Sequence, residues 1–262
     1  MDLTGKVAIV TGAARGLGRG IALELAHEGM KLALADLKKS IVEPVVDEVK
    51  KLKIQALAIE ADVTSVEATK RMAKETIDTF GQIDVLVNNA GIIVIAPFTD
   101  EPTRENWDKV FDVNLKGQLL CVQAVMPYMI PRKSGKIVNL SSIGGKKPNP
   151  GFLSYCLSKM AIIGLTEALA MGLGEYNITV NAVCPGFIDT NMWKDHLSPT
   201  LAPLMKVTPN QVVETFSQGH TLLKRPQLPK DIAQAVAYLC KAENVTGVAL
   251  NVDGGFEIMT PP

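Results

Sequence analysis

Little in this chain points to a covalent staple, a metal or a charged partner. Four cysteines in 262 residues, at positions 121, 156, 184 and 240, are widely separated and form no C-x-x-C pair or metal-ligand spacing. That argues against a disulfide framework and a structural zinc site, and suggests buried thiols in a reduced, cytoplasmic setting. Histidine is scarce: His27, His196 and His220 show no ligand spacing and no carboxylate cluster joins them, so no metal is expected. Neither sign of charge is in excess, with 27 basic and 27 acidic residues. No nucleic acid or anionic membrane is therefore implied as a partner, and the absence of net repulsion permits self-association. Met-Asp-Leu-Thr-Gly-Lys at the start has neither the basic region nor the apolar run of a signal peptide. The most apolar later stretch, Met160 to Gly174, is interrupted by Thr166 and Glu167 and reads as too short to span a bilayer.

What the chain does have is a regular alternation of short apolar runs and helical patterns. Runs at 7–10, 32–35, 55–60, 85–87, 136–140, 178–183 and 249–252 read as strands. Between them lie helical patterns at 17–28, 41–52, 65–80, 103–130, 152–174 and 230–240, with Gly29 placed to cap the first. Strands that are continuously apolar and alternate with helices predict an α/β fold: a parallel sheet of about seven strands with helices on both faces. No linker or repeat interrupts the pattern, so residues 1–262 read as one doubly wound domain. The exception to short connections is 187–228, rich in proline and broken helical fragments, which reads as a lid over a substrate.

Thr11-Gly12-Ala13-Ala14-Arg15-Gly16-Leu17-Gly18 joins the first strand to the first helix. Glycines there let the backbone turn tightly and approach a pyrophosphate, whose charge suits a helix N-terminus. The spacing is G-x-x-x-G-x-G rather than G-x-G-x-x-G, and no Gly-Lys-Ser/Thr ends the loop as a P-loop requires. Asp36 closes the second strand about 20 residues on, where a carboxylate accepts from both ribose hydroxyls and repels a 2′-phosphate. NAD is thus expected over NADP, although Arg15 and Lys38 are cations close by in sequence.

Tyr155 and Lys159 stand four apart, on one face of the helix predicted over 152–174, and Ser142 precedes the tyrosine by thirteen positions. An ammonium beside a phenol favours phenolate and lowers its pKa, so the pair suits proton exchange with an alcohol or carbonyl near neutral pH. The pattern also arises by chance on many helices. Asn114, read alone, is a polar helix residue of the kind that more often than not faces water.

Together, Thr11-Gly12-x-x-x-Gly16-x-Gly18, Asp62-Val63, Asn88-Asn89-Ala90-Gly91, Asn114, Ser142, Tyr155-x-x-x-Lys159 and Pro185-Gly186 resemble the motifs of the classical short-chain dehydrogenase/reductase family, in order and at family spacing. The resemblance implies a Rossmann-type fold and hydride transfer with a nicotinamide cofactor. It implies that Tyr155 is the acid/base, that Ser142 holds the substrate oxygen, and that Lys159 tunes the phenol and binds the nicotinamide ribose. Asn114 would hold a water linking Lys159 to solvent. Cofactor contacts would come from Gly12, Arg15, Gly16, Leu17, Gly18, Asp36, Asp62, Val63, Asn89, Ala90 and Gly91. Tyr155, Lys159, Pro185, Gly186, Ile188 and Thr190 would complete them. Asn88 would tie neighbouring strands, and Ser141, on the opposite strand face from Ser142, would be structural. Leu157 departs from the small residue usual there and implies altered packing; Cys156 reads as an inert buried thiol. The family also implies a homotetramer joined through the helices at 103–130 and 152–174. The stretch Asp189–Trp193 resembles sorbitol and 2,3-butanediol dehydrogenases of the family, and Met192, Trp193 and Met205 could form an apolar cover. A polyol, sugar or small secondary alcohol is therefore the first expectation for the substrate. A 3-oxoacyl-(acyl carrier protein) reductase, a hydroxysteroid dehydrogenase and a non-catalytic NAD-binding regulator are the alternatives.

Overall fold

Seven apolar runs become seven strands in the computed structural model, which describes residues 1–94, 104–189 and 198–259. They are β1 (Val7–Thr11), β2 (Lys31–Asp36), β3 (Ala56–Glu60), β4 (Val85–Asn88), β5 (Gly135–Leu140), β6 (Ile178–Pro185) and β7 (Ala249–Val252). All neighbours are parallel, in the order β3-β2-β1-β4-β5-β6-β7. The helices are α1 (Gly16–His27), α2 (Lys39–Lys51), α3 (Val66–Phe80), α4 (Arg104–Phe111), α5 (Gly117–Met129), α6 (Leu153–Leu173), α7 (Ser198–Met205), α8 (Val212–His220) and α9 (Pro229–Lys241). Successive strand residues point to opposite faces, so β1 feeds two cores. Ala8 and Val10 join Leu25, Leu34 and Val236 on one side. Ile9 joins Met72, Leu86 and Val125 on the other. This is why the strands are apolar at every position rather than at alternate ones.

After β3 the chain returns to the other side of β1 to lay down β4. The reversal opens a crevice beyond the carboxyl ends of β1 and β4, the usual place for a ligand in such sheets. Helix ends largely follow the sequence signals. Ser65 caps α3 by accepting from Ala68 N at 3.2 Å, and Gly81 ends it at φ 78°.

Two expectations change. The helix predicted over 103–130, whose first residue lies outside those described, is not one α-helix: a π-helical turn at Asp112–Lys116 separates α4 from α5. The wide turn carries Asn114 inward to full burial. Its Oδ1 accepts from Ile92 N at 2.8 Å, and its Nδ2 donates to Ile92 O at 2.9 Å and Ser158 Oγ at 3.0 Å. The reading of Asn114 as a water-facing residue therefore fails.

The second concerns 160–174. With its flanking turns, α6 spans 24 residues at a mean hydropathy of 1.5, long and apolar enough by those measures to cross a membrane. Its inner face nonetheless buries Ser158, Lys159 and Thr166, polar groups with partners inside the protein. Only 39% of its most apolar window is buried in the protein, so the rest of that apolar surface lies outside the core.

Candidate active site

A cleft of about 780 Å³ occupies the crevice, within the usual range for a small-molecule site. Its nucleotide-facing wall comes from the β1–α1 turn. Gly12 and Gly16 have φ of 63° and 57°, conformations that side chains rarely adopt. A Cβ on Gly12 would lie 2.9 Å from Ala90 Cα. Asn89 ties down the turn, its Nδ2 donating to Thr11 O at 2.9 Å and Gly12 O at 3.0 Å. Thr11 Oγ1 accepts in return from Asn89 N and Ala90 N at 3.0 and 3.1 Å. Arg15, the N-cap of α1, gives no side-chain cap, and no acidic residue occupies the first turn. The first amides of α1 are thus left to an anion.

Gly12, Arg15, Gly16, Leu17, Asp36, Asp62, Val63, Asn89, Ala90, Gly91, Pro185, Gly186 and Ile188 all line the cleft. Gly18 does not line it: a Cβ there would sit 2.0 Å from Gly12 O, so this glycine lets the helix close on the turn. Thr190, Met192 and Trp193 lie outside the described residues, whereas Met205 is half-buried at the end of α7. Asp36 Oδ2 accepts from Ala14 N at 3.1 Å and Oδ1 from Leu37 N at 2.8 Å. These bonds fix the carboxylate in the cleft and leave lone pairs for two hydroxyls. Of the two nearby cations, Arg15 lines the cleft and Lys38 is exposed away from it.

At the other end Ser142, Tyr155 and Lys159 line the same cleft. Ser142 Oγ accepts from Gly144 N at 3.0 Å, and its hydroxyl acts on the Tyr155 phenol in the direction that favours phenolate. Lys159 is buried; its Nζ lies 5.7 Å from the Tyr155 ring centre and donates to Leu140 O at 2.8 Å. Gly91 is where Asn114 and Lys159 converge: a Cβ there would lie 3.2 Å from Asn114 Oδ1 and 3.4 Å from Lys159 Nζ. Ser141 lines the cleft beside Ser142, its hydroxyl donating to Lys159 O at 2.7 Å. Asn88 ties strands as expected, donating to Asn139 Oδ1 across β4–β5 at 3.0 Å. Leu157, half-buried, neither lines the cleft nor disturbs it. Cys156 is buried, its thiol pushed up by burial, which keeps it protonated and inert.

The expected pKa of Tyr155 needs correction. In the protein alone burial dominates and pushes the phenol up to about 12, with the Ser142 hydrogen bond pulling weakly the other way. Burial also lowers Lys159 to about 8 from 10.5. The unfolded chain therefore holds the lysine proton between pH 8 and 10.5 while the fold does not, so this contribution to stability rises with pH across that window. Tyr155 acts oppositely, but only above its unfolded value of 10. The melting temperature of the wild type should accordingly gain on that of Lys159→Met between pH 7 and 10. The penalty relieved is of order 3 kcal/mol; a gap independent of pH would show that Lys159 keeps an ordinary pKa.

A family model for short chain dehydrogenase matches residues 6–200. The chain belongs to that family. Among short-chain dehydrogenases, the 3-oxoacyl-[acyl-carrier-protein] reductase FabG of Staphylococcus epidermidis is 43% identical over 253 residues, 95% of this chain and 98% of that one. The FabG of Thermotoga maritima is 37% identical over 260 residues, covering 98% and 100%. Two solved structures superpose closely. Levodione reductase has a TM-score of 0.90 at 32% identity, covering 98% of this chain and all of the other. NAD+-bound xylitol dehydrogenase has a TM-score of 0.89 at 34% identity, covering 97% and 100%. Membership makes the chain an oxidoreductase acting on CH–OH or keto groups with a nicotinamide cofactor.

Sequence reasoning missed the residues that brace the site. Phe187, between the cleft-lining Gly186 and Ile188, meets Phe256 at 4.7 Å and Phe216 of α8 at 4.6 Å between ring centres. Phe216 stacks on His220 at 4.1 Å, and Lys147 Nζ sits 4.9 Å over Phe256. This column joins the loop after Ser142, the turn at 253–259 and α8. Lys146 strengthens it, donating to Ala249 O at 3.0 Å and pairing with Glu257 at 3.8 Å. No local pattern announces such contacts between distant segments.

Proposed function

We propose that this short-chain dehydrogenase uses NAD to interconvert a secondary alcohol and a ketone, and that its substrate is a polyol, sugar or small diol. The observation that carries the reading is that Ser142, Tyr155 and Lys159 share one cleft with Asp36 and the glycine turn. The cofactor, when bound, accepts or supplies hydride. The protein's part is to orient and to move a proton. Ser142 holds the substrate oxygen against the phenol, and Tyr155 removes the hydroxyl proton in oxidation and returns it in reduction. The Lys159 ammonium, held near the ring, offsets the burial that disfavours phenolate and reaches the nicotinamide ribose. Asn114 links Lys159 to solvent through water. Ile92, Ile93 and Val94 give the reacting end an apolar wall, which excludes water. The segment 187–228 covers the substrate, and α5 and α6 join four copies, consistent with the exposure of Met160 and Met171 on α6.

The likeness to NAD+-bound xylitol dehydrogenase supports a small polar substrate and NAD. The curated relatives favour a second reading, reduction of a 3-oxoacyl thioester, because those cited are named for it and match nearly full length. A panel of polyols, sugars, diols, cyclic diketones and 3-oxoacyl thioesters, followed by NADH and NADPH absorbance, separates the two. Turnover confined to the thioester would overturn the polyol reading.

Cofactor choice is assigned to Asp36. Asp36→Ala should lower the ratio of kcat/KM for NAD over NADP by about tenfold or more, since a carboxylate repels the 2′-phosphate and binds both hydroxyls. An unchanged ratio would remove Asp36 from that role.

A further inference from the structure

Leu140 lies one position past the last β4–β5 pair, Asn88↔Asn139, and it lines the cleft. Its carbonyl oxygen receives two side-chain donors: Lys159 Nζ at 2.8 Å and Gln118 Nε2 at 3.3 Å. Both donors are buried, Gln118 to 2% exposure. Gln118 is the second residue past the π-helical turn, four beyond Asn114, and its own backbone carbonyl accepts from Asn88 Nδ2 at 3.3 Å. Its Oε1 is buried without a protein partner. A glutamine is costly at such a place unless its amide does something that an apolar residue cannot.

We propose that Gln118 is a positioning residue for Lys159: it keeps the Leu140 carbonyl hydrogen-bonded when the lysine leaves that carbonyl for the cofactor. The inference rests on the reading above, in which Lys159 reaches the nicotinamide ribose. With the lysine on Leu140 O, the carbonyl has two donors; with the lysine on the ribose, it keeps one. Without Gln118 the second arrangement leaves a buried carbonyl unpaired, and that cost falls on the cofactor-bound state alone. Differential stabilisation of two states is the only way that a residue out of contact with a ligand shifts its affinity. Gln118 thereby lowers the free-energy cost of moving a buried ammonium to its working position.

The test is a double-mutant cycle on NADH affinity, read by fluorescence titration of the full chain. Gln118→Met removes the donor and nearly preserves shape. Its dissociation constant for NADH should rise about tenfold, while its melting temperature without cofactor stays close to that of the wild type. In a Lys159→Met background, where no lysine moves, Gln118→Met should change NADH affinity less than twofold. The same loss in both backgrounds, or no loss in either, would overturn the proposal. Gln118→Leu, read in the same way, replaces the methionine variant if that variant is not recovered folded; if neither folds, Gln118 is a packing residue and the proposal falls. Failure of the underlying reading looks different: the wild type itself would then bind neither NADH nor NADPH.

Discussion

Tyr155→Phe should lower kcat by about 10³- to 10⁴-fold and leave the NADH dissociation constant within about twofold. Loss of a positioned acid/base typically removes 10²–10⁴ of rate, and among the described residues of the cleft none other is placed to substitute for it. Ser142 is the nearest hydroxyl, but it already accepts from Gly144 N and lacks a base of its own. Cys156 stays protonated. The ring itself is retained, so its edge contact with Phe152, at 6.3 Å between centres, survives. Single-turnover absorbance at saturating NAD is the measurement, with a substrate found by the panel. A variant that keeps a tenth or more of wild-type rate would shift the proton transfer to another group.

The largest stability effect belongs to Asn114→Ala. That change removes three hydrogen bonds and leaves Ile92 N, Ile92 O and Ser158 Oγ each short of a partner. At about 1–3 kcal/mol for each buried group left unsatisfied, and with partial repair by water, a loss of roughly 3 kcal/mol is expected. For a chain of this size that corresponds to a fall in melting temperature of about 6–12 °C. Activity should fall as well, since Ser158 Oγ also donates to Tyr155 O at 2.7 Å and joins Asn114 to the helix carrying the acid/base. Retained stability with lost activity would make Asn114 purely a proton-path residue; unchanged behaviour in both assays would deny it either role.

How legible the site was depended on how local each signal is. Gly12, Gly16 and Asp36 could be read because a tight turn and a strand end leave marks within a few residues of themselves. The choice of Ser142 over Ser141 rested on the thirteen-residue spacing to Tyr155 and on the family register, and Ser141 Oγ donates to Lys159 O. The sign of the Tyr155 shift could not be read from spacing. The i, i+4 relation places an ammonium beside the phenol, but how far each is desolvated depends on what β5 and the turn after it pack against them. Gln118 was hidden for a related reason. It sits at the start of α5, whose apolar residues are spread evenly around the helix, so nothing marked which side faced the sheet. The Phe256–Phe187–Phe216 column is less legible still, because its rings come from three segments that meet only in the folded chain.

The π-helical turn at Asp112–Lys116 carries a consequence for tolerance to change in length. Such a turn amounts to one extra residue let into a helix. Deleting any one residue from it would restore a regular α-helix, more favourable locally by its hydrogen bonding. Because the wide turn absorbs that residue, the helix beyond it would keep nearly its present register. Cys121, Val122, Val125 and Met129 would go on facing the sheet, while Asn114 would lose the bulged position from which it holds Ile92 and Ser158. A shortening by one should therefore spare the packing of α5 and be felt at the cleft, so the extra residue belongs to the site rather than to the scaffold.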